Sequence, residues 1–248
     1  MQSVTDFQNA RGPLSALIVG LAVIAMAAPA AADVILQADF TYHTIGEVIG
    51  VGGAAAGEPV DLGGTDAIVA LAPTISNALK LTDRWTDQAA YVQFEFINNV
   101  EVTTGQVTLQ ATLSFSNHNN CSFSVREQGG RASNFADLIF KSDGAVHWSD
   151  AGTPETAVDT YVTNTAYDVV FVFDLDAGTY SLTVNGEPRL TDQPIGVTSG
   201  RGIGGFYVGI DNDPDTTGML FIDDILVTTT AQVAADPLTW TAVKGIYR

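Results

Sequence analysis

The 248-residue sequence contains a single cysteine, Cys121. A chain with one cysteine cannot form an internal disulfide, so its fold must be stabilised by a hydrophobic core. Cys121 lies between polar residues in "NNCSFSV", where His118 is close in sequence but no obvious activating cation is present. This environment favours a small strand residue over a reactive nucleophile.

Cationic residues are scarce as well. Lys plus Arg number 10 against 28 Asp plus Glu, which gives a formal net charge of −18. Such a surface repels nucleic acid and anionic membranes, whose binding needs clustered cations. It favours solubility and divalent cations instead. Charged residues make up only 15% of the sequence, which is too few for a disordered acidic chain.

Long apolar runs are also few. One run, residues 12–32, follows Arg11 and ends in the small residues of "APAAAD". A basic start, an apolar centre and an A-x-A site are typical of a secretory signal peptide, here cleaved after Ala32. An uncleaved anchor helix is the alternative. No later stretch approaches the roughly 18 apolar residues that a membrane-spanning helix needs.

These features predict an exported protein that is secreted or held in the cell envelope, periplasmic or extracellular. We expect a signal helix over residues 1–32, one domain over residues 33–230, and a linker with a short tail over residues 231–248. The tail ends in "WTAVKGIYR", which resembles a short ending of some exported bacterial proteins. A sorting or surface-attachment role and a frayed chain end are the two interpretations.

Helical patterns are nearly absent after the signal segment, and short runs with a period of two replace them. In "GQVTLQATLSFSN", apolar residues alternate with polar ones from Val107 to Phe115. The segment "AYDVVFVFDLDAGTYSLTVNGEPRL" predicts a hairpin, and Asn185-Gly186 predicts a second tight turn. About ten such strands without βαβ spacing predict an all-β fold, a two-sheet antiparallel sandwich.

Three segments resemble concanavalin A-like (laminin-G-like) jelly rolls. "FDLDAGTYSLTVNGE" resembles a hairpin of these domains, "GMLFIDDILVTT" resembles their closing strand, and "ADFTYHTIGEVIGVGG" resembles the opening of exported bacterial members. The resemblance spans about residues 34–230 and implies a jelly-roll sandwich. It says little about function, because this architecture hosts lectins, carbohydrate-binding modules, glycanases, lyases and adhesive domains.

Two adjacent aspartates, Asp223 and Asp224, interrupt the apolar closing strand. A buried, unpaired carboxylate costs several kcal/mol or shifts its pKa until it is neutral. A cation, a set of backbone N–H donors or an exposed strand end could each compensate. Strict alternation puts on one face Met219, Phe221, Asp223, Ile225 and Val227, and on the other Leu220, Ile222, Asp224 and Leu226.

The resemblance also implies a structural Ca²⁺, which an aspartate of the closing strand helps to hold beside the first strand in carbohydrate-binding jelly rolls. Carried over, it predicts a calcium site made by Asp39, Asp223 and Asp224, near Phe40. Backbone carbonyls supply many Ca²⁺ ligands, so few carboxylates suffice. A hydrogen-bonded aspartate that clamps the neighbouring loop, or a solvated pair, are the alternatives. The acidic loop "DNDPDTTG" is a second metal candidate, or simply a turn.

Catalytic motifs of this fold are absent from the sequence. Glycanases use an E-x-D-x-E run, but Glu95 in "QFEFIN" has Gln93 and Ile97 at the partner positions. Alginate-lyase-like members need a Q-x-H strand, and none follows Arg126 in "SVRE". No G-x-S-x-G or H-E-x-x-H pattern occurs. Whether the protein is an enzyme stays open, with a noncatalytic role favoured.

Sugar sites combine an aromatic platform with neighbouring amides and charged groups. The sequence therefore predicts a noncatalytic module that binds extracellular or cell-surface glycans. The alternatives are a structural or adhesive protein that contacts other envelope proteins, and a glycan-active hydrolase or lyase. The candidate ligand-binding residues are Trp85, Asn117, His118, Asn119, Arg126, Arg131 and Trp148. The two tryptophans among them could instead fill the core.

Overall fold

The structure is a computed structural model, and it describes residues 32–64, 67–83, 89–129, 134–150, 153–196, 201–211 and 218–231. Most of the expected signal segment and of the tail lies outside these ranges. So do Trp85, Arg131, and Asp213 and Asp215 of the acidic loop. The expected domain boundaries and export signal stay predictions.

The described residues form fifteen strands and two short 3₁₀ turns, Ala54–Ala56 and Ile97–Asn99. No helix among them is long and apolar enough to cross a membrane. The strands are β1 (Asp33–Ala38), β2 (Asp61–Gly63), β3 (Ile68–Leu71), β4 (Asn77–Thr82), β5 (Ala90–Glu95), β6 (Gln106–Phe115), β7 (Cys121–Arg126), β8 (Asn134–Phe140), β9 (Ala145–Asp150), β10 (Thr153–Thr160), β11 (Ala166–Asp174), β12 (Thr179–Val184), β13 (Glu187–Pro194), β14 (Gly205–Ile210) and β15 (Met219–Thr229).

These strands build two antiparallel sheets. The eight-stranded sheet has the order β13-β12-β11-β6-β15-β4-β3, and β1 pairs with β15 beside β4. The seven-stranded sheet has the order β10-β9-β8-β7-β14-β5-β2. Aromatic side chains join the sheets, since the ring of Phe123 on β7 stacks 6.0 Å from that of Phe171 on β11. The predicted two-sheet antiparallel sandwich is confirmed.

The period-two segments lie where their pattern predicts. Along β6 the alternate residues Val107, Leu109, Ala111, Leu113 and Phe115 are all in the core. Burial of each large apolar side chain contributes about 1.5–3 kcal/mol, which explains why the pattern determines which face is inside. The β11–β12 hairpin pairs in register, and Cys121 is buried on β7. Burial raises the pKa of the Cys121 thiol, as expected for a structural cysteine.

The closing strand β15 departs from the predicted alternation. Asp223 lies opposite Thr112 while Leu226 lies opposite Gln110, so β15 carries one extra residue there, and Asp224 has φ 51°. This β-bulge reverses the side-chain alternation. Before it, Leu220 and Ile222 face the core; after it, Ile225 and Val227 do. The prediction that Ile225 and Val227 share a face with Asp223 was therefore wrong.

Candidate functional site

Asp223 is buried, with 1% of its surface exposed, and it holds the chain that follows β1. Its Oδ1 accepts the backbone N–H of Phe40 at 2.8 Å, and Oδ2 lies 3.4 Å from the donating hydroxyl of Thr41. Burial raises the pKa of Asp223, and the N–H groups of Phe40 and Asp224 partly offset this rise. Backbone donors thus compensate this carboxylate and clamp the loop after β1 to β15.

Three carboxylates meet beside this clamp. Asp39, Asp223 and Asp224 each place one oxygen within 4.8 Å of the others, and we call them the aspartate cluster. Burial raises the pKa of Asp224, and the charges of Asp39 and Asp168 raise it further. An open hollow of about 350 Å³ lies against the cluster and is also lined by Thr112 and Asp168.

The donors of the aspartate cluster fit a hard divalent cation. Ca²⁺ takes six to eight oxygen ligands, and the cluster offers carboxylate oxygens from three residues. The raised pKa of Asp224 also fits, because a cation would offset both the burial and the charges of Asp39 and Asp168 that raise it. Calcium at Asp39, Asp223 and Asp224 stays a prediction.

A second concentration of polar groups lies on the outer face of the seven-stranded sheet. Alternation turns Phe94 and Phe206 into the core. The opposite face carries Tyr91, Gln93 and Glu95 of β5, Arg126 of β7 and Tyr207 of β14, and we call these five residues the tyrosine face. They line an open hollow of about 530 Å³, together with Val60, Asp61 and Gly129.

Two tyrosine rings form the centre of the tyrosine face. The rings of Tyr91 and Tyr207 lie 5.2 Å apart with an interplanar angle of 27°. The Arg126 guanidinium carbon lies 4.2 Å from the centroid of the Tyr207 ring, which is a cation–π distance. Tyr207 therefore contacts the Tyr91 ring and also the Arg126 guanidinium, which lies over its ring.

Two glycines make room for these rings. A Cβ at Gly209 would lie 2.6 Å from the Tyr207 hydroxyl oxygen, and a Cβ at Gly63 would lie 2.6 Å from Cε1 of Tyr91. Each ring therefore packs against a glycine, Tyr207 against Gly209 and Tyr91 against Gly63. Any larger residue at Gly209 or Gly63 would push the ring away from the sheet.

The polar groups of the tyrosine face are joined by hydrogen bonds. Tyr91 donates its hydroxyl to Asp61 at 3.3 Å, and Gln93 donates its amide to Glu95 at 3.1 Å. Burial and the charge of Asp61 raise the pKa of Tyr91, and burial raises the pKa of Tyr207 to about 12. Both phenols are therefore neutral hydroxyls at physiological pH. The face can donate and accept hydrogen bonds beside an aromatic surface.

The structure does not bring together the five predicted ligand-binding residues that it describes. Arg126 lies on the tyrosine face. Asn117, His118 and Asn119 precede the opposite end of β7; Asn119 is buried, and the His118 ring packs 4.9 Å from that of Tyr161. Trp148 is only 8% exposed and belongs to the core. Alternation on β9 turns its ring inward, so Trp148 is not a binding platform.

Sequence reasoning missed the tyrosines themselves. The run "AAYVQFEF" already places Tyr91, Gln93 and Glu95 on the polar side of one strand, and Tyr207 follows the same rule in "GGFYVGI". What joins them is the pairing of β14 with β5, in which Tyr207 lies opposite Gln93. That contact is between residues more than 100 positions apart, and no local pattern signals it.

His147 is on the outer face of the same sheet but is engaged elsewhere. Its Nδ1 lies 2.7 Å from Oε1 of Glu155, and Lys141 lies 2.7 Å from the same oxygen. The hydrogen bond from Lys141 is the main cause that lowers the pKa of Glu155. His147 lies opposite Ile139 on β8. Its strand, β9, and β5 lie near opposite edges of the seven-stranded sheet. His147 therefore lies away from Arg126 and Tyr207.

Comparison with known proteins gives the fold. No protein-family model and no curated protein matches the sequence. A sialidase structure aligns with a TM-score of 0.57 at 12% identity, over 80% of this chain and 19% of the sialidase. This chain therefore spans about a fifth of that protein's length. The likeness identifies a β-sandwich of jelly-roll type, consistent with a concanavalin A-like fold.

Two further structures are similar at a lower level. An alginate lyase in complex with dimannuronate aligns with a TM-score of 0.49 at 10% identity, over 62% of this chain and 76% of the lyase. A Trypanosoma rangeli sialidase aligns with a TM-score of 0.46 at 16% identity, over 78% of this chain and 34% of the sialidase.

Proposed function

We propose that the protein is an exported, noncatalytic module that binds glycans on the tyrosine face. The observation that carries this proposal is the Tyr91–Tyr207 ring pair at the floor of an open polar hollow. The apolar faces of sugar rings stack on aromatic side chains, while their hydroxyls need nearby donors and acceptors. Gln93, Glu95 and Arg126 supply those groups around the rings.

Replacement of Tyr207 by alanine tests the proposal. We expect the wild-type protein to bind at least one ligand on a glycan array, and Tyr207→Ala to weaken that binding at least about tenfold, since a central aromatic anchor is commonly worth more than 1.4 kcal/mol. Tyr42→Ala is the matched control, because Tyr42 is 89% exposed and outside this hollow. Unchanged binding by Tyr207→Ala would refute the proposal.

A glycine substitution tests the geometry of the platform. Gly209→Ala should displace the Tyr207 ring and weaken glycan binding about three- to tenfold, although residue 209 need not touch the ligand. The melting temperature should change little, because a ring at the end of a flexible side chain can move. Gly50→Ala is the control, since a Cβ there meets nothing within 4 Å. Equal binding by both variants would show that the position of the ring does not matter.

Silence of the whole array would favour the alternative, a structural or adhesive protein that acts through protein contacts. Exposed apolar side chains on and beside β3 favour that alternative. Ile45, Val48 and Leu71 are more than half exposed, and Val48 pairs with Ile68 at the edge of the eight-stranded sheet. Contiguous exposed apolar groups of this kind commonly mark contact surfaces.

We propose in addition that the aspartate cluster binds a structural Ca²⁺. The ion would be held by carboxylate oxygens of Asp39, Asp223 and Asp224 and would reinforce the junction of β1 with β15. The close approach of the three carboxylates and the raised pKa of Asp224 support this role.

A further inference from the structure

We propose that the tyrosine face selects uncharged glycans and rejects polyuronates. This inference rests on the proposed glycan-binding function and specifies its ligand class. It is carried by the charges around the ring pair, which are mostly negative.

The charged side chains that the structure describes around the hollow are Asp61, Glu95 and Arg126. Two anions thus border the site against one cation. A chain of uronate sugars brings one carboxylate per residue, and each carboxylate beyond the first would meet a negative border. The protein as a whole, with a net charge of −18, adds a repulsive field at long range.

Arg126, the cation among the described lining residues, lies near one of the two anions. Glu95 and Arg126 lie on either side of Gly205, as partners of this residue on β5 and β7. Strands two places apart in a sheet are about 10 Å apart, which is about one Debye length at 0.1 M salt. A sugar carboxylate that reached Arg126 would therefore feel the charge of Glu95. The Arg126 guanidinium also lies over the Tyr207 ring.

A third acid, Asp137, lies on β8, two strands away from Tyr207. Tyr207 lies opposite Ser124 on β7, and Ser124 lies opposite Asp137 on β8. One carboxylate oxygen of Asp137 accepts the Asn134 amide at 2.7 Å. A long glycan that crosses the strands would pass from Asp61 over the tyrosines towards Asp137. The negative charges of these acids would repel a sugar carboxylate.

The hydrogen-bonding groups also suit a polyhydroxyl ligand. Asp61 and Glu95 are acceptors, Gln93 can donate and accept, and the two phenols are neutral donors. This set matches the alternating donor and acceptor character of sugar hydroxyls. Among the described residues that line the hollow, Arg126 is the one cation, so they offer no pair of cations to hold a carboxylate on both sides.

The test compares polysaccharides of similar backbone and different charge. Affinity electrophoresis and calorimetry would measure wild-type protein against neutral xylan, mannan, galactan and β-glucan, and against alginate and polygalacturonate. We expect at least one neutral polymer to bind in a manner that 0.5 M NaCl does not weaken, because about 0.5 M salt screens charge contacts beyond a few ångströms. We expect both alginate and polygalacturonate to bind at least about tenfold more weakly than that neutral polymer.

A charge-neutralising variant sharpens the test. Asp61→Asn with Glu95→Gln should raise the ratio of alginate affinity to neutral-polymer affinity at least about fivefold, because the loss of one unit-charge repulsion at about 4 Å in water already has about this effect and the variant removes two charges. Glu187→Gln, a distant exposed substitution on β13, should leave the ratio unchanged. An unchanged ratio in the double variant would overturn the assignment.

The two proposals fail in different ways. Alginate binding that exceeds binding of every neutral polymer, and that is lost in Tyr207→Ala, would overturn the ligand class while the glycan-binding function stands. Absence of binding to every polymer would overturn both. Neutral-polymer binding that Tyr207→Ala does not affect would place the site elsewhere and overturn both assignments to the tyrosine face.

Discussion

Replacement of Asp223 by alanine is expected to lower the free energy of unfolding by about 2–4 kcal/mol, since each buried donor that loses its acceptor costs about 1–3 kcal/mol. The carboxylate is 1% exposed and accepts the N–H groups of Phe40 and Asp224. Alanine would leave both donors buried without that acceptor. Phe40, itself 1% exposed, would lose the bond that fixes its backbone.

Thermal and denaturant unfolding measure this effect. For a domain of about 200 residues the expected loss corresponds to a melting temperature lower by roughly 5–15 °C. Asp223→Asn is the isosteric comparison, because an amide oxygen can still accept the Phe40 N–H, and it should cost less than alanine. Asp39→Ala removes a neighbouring, less buried carboxylate that accepts the backbone N–H of Thr41 at 2.8 Å. If alanine at 223 cost no more than alanine at 39, the clamp would not stabilise the fold.

The sheets could be predicted from the sequence because the central strands, such as β5, β11 and β12, bury alternate residues. That burial imposes the period of two seen from Val107 to Phe115. The turn residues after Phe173 predict the hairpin that joins β11 to β12. The resemblance of the closing strand to jelly rolls led correctly to the pairing of β1 with β15. Local pattern therefore predicts the layers and their inner faces.

The arrangement of the candidate site could not be predicted in this way. The bulge at Asp224 adds one residue, and a rule of strict alternation then assigns every later side chain of β15 to the wrong face. The tyrosine face needs β5, β7 and β14 to be neighbours, although they are far apart in sequence. Trp148 was a candidate ligand-binding residue with a core position as the alternative, and its place on β9 turns it into the core.

Calcium is expected to raise the melting temperature of the wild-type protein, and a chelator to reverse the rise. A ligand bound only by the folded state at 100 times its dissociation constant adds about 2.7 kcal/mol. Asp224→Asn should remove most of this response, because it deletes one of the three carboxylates of the aspartate cluster. Glu187→Gln changes charge equally and should keep the wild-type response.

The pH dependence separates the calcium-free protein from the calcium-bound one. Asp224 has its pKa raised above the ordinary value of 3.8 on folding, so the folded state holds the proton more tightly than the unfolded state. Without calcium, this group therefore favours folding at low pH, and its stabilising effect is lost as pH rises through the raised pKa. Asp224→Asn should weaken that decline and make the calcium-free protein more stable near pH 7.

With calcium the sign reverses, because the ion binds the ionised carboxylates and protons compete with it. The calcium-dependent gain in melting temperature should therefore grow as pH rises from about 4 to 7, across the range in which carboxylates ionise. Melting curves with calcium and with chelator at each pH, for wild type and Asp224→Asn, measure both trends. An equal calcium response in the two proteins, or none in the wild type, would show that the aspartate cluster is a clamp made by hydrogen bonds alone.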